Sequence, residues 1–403
     1  MNFYFVAIYR TDRDNTIIYT SVVSLIFGLL SGCNIGSTRA STYLESVLYR
    51  FQGGADGAYP FASLMADNNA NLYGTTSGDG VNNYGTVFKI TPQGVKSVVH
   101  NFESGSDGAV SYASLIADAD GNLYGTTTVG GINNNGTVFK ITPQGQETVL
   151  YSFESGADGA YPYGGLTLNT DGNLYGTTKN GGINDYGTVF KITPQGVETV
   201  LYSFQDGSDG AFPVASLVAD ANGNLYGTTS GGGSDYAGTV FKITSQGVES
   251  VLHSFQGGAD GAVPQAGLIL DATGNLYGTT QDGGGINDYG TVFKITPQNV
   301  ETVLYSFRGV NDGANPYAGL ILDATGNLYG TTAHGGFNNY GTVFKITPQG
   351  QETVLYRFQS GSNGAVPQAG LIFDATGNLY GTTQLGGDNS YFGHGTVFKL
   401  KLK

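Results

Sequence analysis

From residue 44 onward, apolar and polar positions follow one another in short runs of five to seven residues. Gly, Pro, Asn and Asp interrupt the runs, and no window of 11 or more residues shows a helical period. Residues 165–204 show the pattern well. A short apolar run, 165–169 (GLTLN), is followed by a Thr-Asp-Gly turn and then 173–178 (NLYGTT). A Gly/Asn loop over 179–186 leads to 187–193 (GTVFKIT), and Pro194-Gln195-Gly196 turns the chain into 198–204 (ETVLYSF). Val, Thr, Tyr, Phe and Ile fill the runs while turn formers separate them, which predicts four β-strands.

The same unit recurs seven times. Asn-Leu-Tyr-Gly-Thr-Thr begins at Asn71, Asn122, Asn173, Asn224, Asn275, Asn327 and Asn378, at spacings of 51 or 52 residues. Four short strands per period of about 50 residues is the signature of a propeller blade. The phase of the repeat adds a topological prediction. The last unit stops after its third strand, 395–400, and lacks a fourth. Residues 45–51 (ESVLYRF) form an orphan fourth strand at the other end. Pairing the two closes an all-β, seven-bladed propeller of four-stranded antiparallel blades over residues 44–403. Closure removes the exposed strand edges of an open array.

The first 43 residues depart from this pattern. Residues 17–30 form one apolar run of signal-peptide length, too short for a membrane span. Leu30-Ser31-Gly32-Cys33 follows directly and resembles a bacterial lipobox, with the only cysteine of the chain at the lipidated position. The expected organisation is a lipoprotein signal peptide over 1–32, a lipid-anchored tether over 33–43, and the propeller. Asn34 is not the Asp of an inner-membrane retention signal, so the expected location is the outer membrane or cell surface.

Composition restricts the partners. Net charge is −14, which disfavours nucleic acid and anionic membrane surfaces, so the lipid anchor is the expected membrane contact. One cysteine excludes an internal disulfide framework. Charged residues are only 12% of the chain and Gly reaches 66 of 403, as expected where blades pack face to face and tight turns recur. The lysine repeated at Lys89, Lys140, Lys191, Lys242, Lys294, Lys345 and Lys399 reads as a rim residue with its stem over the neighbouring blade.

Through its GNLYGTT and GTVFKITPQG strings, residues 44–403 resemble the GloVer tandem-repeat family of bacterial surface proteins, which carry alternative N-terminal anchors. The resemblance implies export and a propeller-like fold. It implies no catalytic residues.

Candidate chemistry lies on the face where the loops between second and third strands meet the blade-to-blade loops. The blade-to-blade loops repeat Asp56, Asp107, Asp158, Asp209, Asp260 and Asp312. The other loops carry Tyr84, Tyr186, Tyr236, Tyr289 and Tyr340. Such a ring suits sugars, since polar side chains pair hydroxyls and aromatic rings cover C–H faces. The competing reading is that Asp caps its own turn. Lys179 breaks the symmetry of its position and is a further ligand candidate. His334, Asp388 and His394 are the one set able to act as acid and base or to hold a metal. No cofactor is expected. Turns such as 118–122 (DADGN) begin like a calcium loop without its later acids, which leaves calcium shared between several facing loops as a second metal reading. Two functions follow: a monomeric, non-catalytic binding module for a glycan or protein partner, or a propeller lyase or hydrolase with its site at the channel mouth.

Overall fold

The computed structural model describes residues 43–388 and 392–402. Cys33 and the apolar run before it lie outside the described residues. Seven four-stranded antiparallel sheets form a seven-bladed β-propeller. The first strand, β1 (Tyr43–Arg50), stands apart from the blade that follows it in sequence. The first complete blade runs β2 (Met65–Ala66), β3 (Leu72–Thr76), β4 (Thr86–Ile90) and β5 (Lys96–Asn101), in that spatial order. Strand β1 pairs instead with Thr396–Leu402, from Tyr43 opposite Leu402 to Arg50 opposite Thr396. It is the outermost strand of the seventh blade, so the ring closes as its repeat phase predicts.

The innermost strand of each blade is only two residues long, as in Thr167–Leu168, against the five-residue run of the sequence. The other three match their predicted runs to within a residue or two: Leu174–Thr178, Thr188–Ile192 and Glu198–Ser203. Five short 3-10 turns, such as Gly156–Asp158, occupy blade-to-blade loops.

The blades are held together by two sets of contacts, each repeated around the ring. The phenylalanine after every outermost strand meets the phenylalanine of the third strand in the next blade. Phe51–Phe88, Phe153–Phe190 and Phe358–Phe398 all pack edge to face at 5.1–5.2 Å. These rings are buried, and each pair adds a directional aromatic contact to the apolar area it removes from water. The first threonine of the NLYGTT string donates to a carbonyl in the next blade: Thr177 to Ala215 at 2.9 Å, and Thr382 across the closure to Pro60 at 3.3 Å. The second threonine stays within its blade, where Thr178 and Thr188 hydroxyls pair at 2.8 Å.

The glycine of NLYGTT is fixed by space. A Cβ on Gly176 would lie 2.5 Å from Cζ of Phe190, its partner on the third strand. The repeated lysine lies over the tyrosine opposite it in its own blade. Lys89 Nζ is 5.4 Å from the Tyr73 ring centre, and five further copies do the same. The expected contact with the neighbouring blade is replaced because cross-strand register places Lys89 beside Tyr73.

Candidate functional site at the channel mouth

Each blade enters its inner strand through a strained residue. Tyr59, Val110, Tyr161, Phe212, Val263, Asn315 and Val366 occupy the same position, with φ between 53 and 60°. A β-branched valine is costly in that left-handed region, so the surroundings must impose it. They do so through backbone bonds. The N–H of Phe212 donates to Tyr186 O in the preceding blade at 2.9 Å, and Tyr59 N donates to His394 O across the closure at 2.9 Å. The carbonyl of the same residue accepts from its own blade, as in Gln281 N to Val263 O at 3.1 Å.

Two residues further on, the chain lines the central channel. The position is Phe61, Tyr112, Tyr163, Val214, Gln265, Tyr317 and Gln368 in the seven blades. A cavity of about 400 Å³ opens there, bounded by the residues that lead into the inner strand of every blade. Its floor is small and shared: Ala, Gly and Ser at positions such as Ala215, Gly267 and Ser216. Its wall lacks the seven-fold symmetry: four positions are aromatic, two are Gln and one is Val. On one side Phe61 meets Tyr112 edge-on at 5.1 Å, and Tyr112 stacks on Tyr163 at 5.4 Å with planes 9° apart. Lys179 Nζ sits 5.3 Å from the Tyr163 ring centre. On the other side Gln265 Nε2 donates to Gln281 Oε1, and Gln281 Nε2 donates to the Tyr317 hydroxyl at 2.9 Å. Gln368 also lines the cavity, and its Oε1 is buried with no hydrogen-bond partner. Burial raises the pKa values of Tyr112 and Tyr317, so both hydroxyls remain protonated at neutral pH.

Of the ligand candidates read from the sequence, Lys179 lies in this cavity. The six aspartates hold their own loops. Asp158 accepts from the Tyr151 hydroxyl at 3.0 Å and from Glu154 N at 2.8 Å; Asp209 and Asp312 repeat the arrangement with Tyr202 and Tyr305. Asp107 and Asp260 receive His100 and His253 instead, and Asp56 receives Tyr49 and an ion pair from Lys96 at 2.8 Å.

The tyrosines divide. Tyr84, Tyr186, Tyr289 and Tyr340 share one slot, each giving its carbonyl to the next blade. Tyr186 also packs edge-on against Phe212 at 5.6 Å. Tyr236 is not in that slot. Ala237 takes it, while Tyr236 is pushed to a φ of 57° and stands 71% exposed. An order of Asp-Tyr-Ala-Gly, where other blades have Asp-Tyr-Gly, carries this one-residue slip in the sequence.

His394 occupies the tyrosine slot of the seventh blade. Its ring faces Tyr59 and lies 3.8 Å from Asp79, both belonging to the first blade. His334 is paired through its backbone with Ala314 of its own blade, a different position in the repeat. Asp388 belongs to the same loop as His394, and residues 389–391 between them lie outside the described residues. His334 and His394 thus make their contacts in different blades. Among the described residues no three His, Cys, Asp or Glu side chains group as metal ligands. In the calcium-like turn, Asp118 accepts from Asn122 N, Asn122 Nδ2, Asp120 N and the Tyr124 hydroxyl, within 3.0 Å in every case. Burial opposes its charge, but these donors outweigh it and hold the pKa below the usual range.

Sequence reasoning missed the channel wall and one other feature. The tips of the loops between second and third strands are apolar and exposed at Val81, Ile132, Ile183, Ile286 and Phe337. Both had a signal: one position varies between repeats where its neighbours hardly do, and the other is apolar inside a polar loop in five of the seven units.

The model of the Gloeobacter/Verrucomicrobia repeat matches residues 35–237 and 215–403 in tandem. The chain belongs to this family. No curated protein matches the sequence. Solved structures share the fold at low identity. One is the extracellular domain assigned to a hybrid two-component system of B. thetaiotaomicron, with TM-score 0.56 and 11% identity, over 87% of this chain and 39% of that one. Another is PorZ, a surface component of the type-IX secretion system of Porphyromonas gingivalis, with TM-score 0.52 and 15% identity, over 85% of this chain and 46% of that one. A gluconolactonase from Xanthomonas campestris aligns at TM-score 0.44 and 14% identity, over 71% of this chain and 83% of its own, too loosely to argue from. This repeat protein spans less than half the length of the first two. The neighbours include extracellular and surface domains, and no helix among the described residues could cross a membrane.

Proposed function

We propose that this repeat protein is a non-catalytic binding module of the bacterial cell exterior, held by lipid on Cys33, that takes a saccharide at the channel mouth. The observation that carries the reading is where the seven-fold symmetry breaks. Blade-packing residues recur almost unchanged, whereas the wall of the cavity changes around the ring, from aromatic at Tyr112, Tyr163 and Tyr317 to amide at Gln265 and Gln368. Stability demands repetition around the ring; recognition of one asymmetric molecule demands its loss. The wall combines stacked aromatic rings with amides and hydroxyls, the set that covers sugar C–H faces and pairs sugar hydroxyls.

The enzyme reading has less support, since His394 lies against the first blade while His334 pairs within the sixth. A single asymmetric cavity also favours one site over seven equivalent loop sites. The test is a glycan array followed by calorimetry. One site per chain is expected, and Tyr163→Ala should weaken it roughly tenfold or more, the scale of a buried aromatic anchor. Several equivalent sites unaffected by Tyr163→Ala would overturn it. For the anchor, Cys33→Ala should shift the protein from the membrane to the soluble fraction; continued membrane association would overturn lipidation.

A further inference from the structure

The cavity wall carries one charge. Lys179 is the only ionisable side chain of full charge among the residues that line it. The position after the second strand is Ser, Thr, Gln or Ala in the other six blades, so the lysine is not required by the blade. The chain as a whole is acidic, at −14. Even so, no carboxylate pairs with Lys179 among the described residues; its ammonium rests over the Tyr163 ring. A cation held on an aromatic face at a cavity wall retains its capacity to pair with an incoming anion.

Around it the cavity is built for hydroxyls and a flat apolar face. Tyr112 and Tyr163 stack with nearly parallel planes, 9° apart, and form an aromatic pair next to the ammonium. Gln368 contributes a buried acceptor without a donor. Gln265 and Gln281 hold each other and Tyr317 in a chain that fixes their orientation. There is no second cation, and no arginine fork, in the wall. That suits a singly charged carboxylate rather than a phosphate or sulfate group, whose several oxygens call for several donors.

We propose that the channel mouth selects a saccharide bearing a carboxylate, a uronic acid, with Lys179 pairing the acid and Tyr112 and Tyr163 covering the ring. This specificity rests on the saccharide-binding reading above and adds the charge of the ligand to it. The experiment is calorimetry of the protein with galacturonate, mannuronate and glucuronate oligosaccharides, each set against the neutral sugar of the same ring configuration. A uronate should bind roughly tenfold more tightly than its neutral counterpart, the size of one charge-assisted pair. Lys179→Met should abolish that preference, so that the uronate binds no more tightly than its neutral counterpart. Raising salt from about 50 to about 500 mM should weaken the uronate alone, since a part-exposed ion pair is screened.

Neutral sugars binding as tightly as uronates, or a preference that survives Lys179→Met, overturns the carboxylate and leaves saccharide binding standing. Failure of every sugar, charged or neutral, overturns both. Tyr163→Ala separates the two further: it should weaken both classes of sugar, whereas Lys179→Met should remove the difference between them.

Discussion

At the scale of the residue, the repeat preserves small side chains for two different physical reasons. Gly176 has ordinary backbone angles, and only the ring of Phe190 and the Leu166 side chain forbid a Cβ there. Gly207 has the opposite problem, with φ of 78° and nothing within 4 Å of an added Cβ. Gly176→Ala should therefore destabilise by overpacking, by about 1–3 kcal/mol. Gly207→Ala should cost about 1–2 kcal/mol through the left-handed conformation alone. The distinction is measurable by denaturant unfolding combined with a relieving mutation. Phe190→Leu should recover part of the Gly176→Ala loss and none of the Gly207→Ala loss. Equal behaviour of the two double variants would show that the Phe190 contact is not what excludes the methyl group.

At the scale of the element, β1 belongs to one blade by hydrogen bonding and touches the next by packing. It pairs along its length with Thr396–Leu402, and Phe51 just beyond it packs edge-on against Phe88 of the first blade. In a closed ring this junction is like any other. Phe51→Ala should then cost about as much as Phe204→Ala in the middle of the ring, about 3–5 kcal/mol each. A much smaller loss for Phe51→Ala, read from unfolding midpoints, would mean that the seam opens independently. This closure was legible in the sequence because strand phase is a matter of counting: an orphan ESVLYRF at one end and a missing fourth strand at the other. The strands themselves were legible because β-branched and aromatic runs alternate with turn formers. The channel mouth was harder to see. Val110, Val263 and Val366 adopt positive φ, which local preference argues against, and backbone bonds to the preceding blade and to their own blade hold them there. Without that clamp, nothing in the sequence turns Tyr163 and Gln265 toward a common axis. Lys179 was visible as an exception to its column, but its stacking on Tyr163 depends on the same clamp. The aspartate ring was visible as a pattern, while the commitment of each carboxylate to Tyr or His of its own outer strand required tertiary geometry.

At the scale of the whole molecule, the repetition that packs the blades also repeats a conflict between charges. The first residue of the outermost strand is Glu147, Glu198, Glu249, Glu301 and Glu352 in five consecutive blades, and each faces the loop aspartate of the blade before. Each has a buried Oε1 without a partner. Burial first, and the neighbouring aspartate second, push these glutamates up to about 7. The two remaining junctions resolve the conflict by substitution. Lys96 stands in the glutamate position and pairs with Asp56 at 2.8 Å. Asn363 stands in the aspartate position and donates to Glu45 Oε2 at 3.1 Å. A glutamate whose folded pKa lies above its unfolded value contributes stability that is complete below pH 4.5 and is lost as pH rises to about 7. The turn aspartates, such as Asp118 and Asp220, act in the opposite sense: their pKa values are lowered, and their contribution is lost as pH falls below the ordinary carboxylate range. Together they place maximum stability in mildly acidic solution and predict a lower melting temperature at pH 8 than at pH 5. Glu198→Gln should raise the melting temperature at pH 8 by about 1–3 °C and change it little at pH 5. Lys96→Glu creates a sixth carboxyl pair and should lower the melting temperature, more at pH 8 than at pH 5. A melting temperature that is flat from pH 5 to pH 8, or a Glu198→Gln effect independent of pH, would show that the carboxyl pairs do not share protons across the blade junctions.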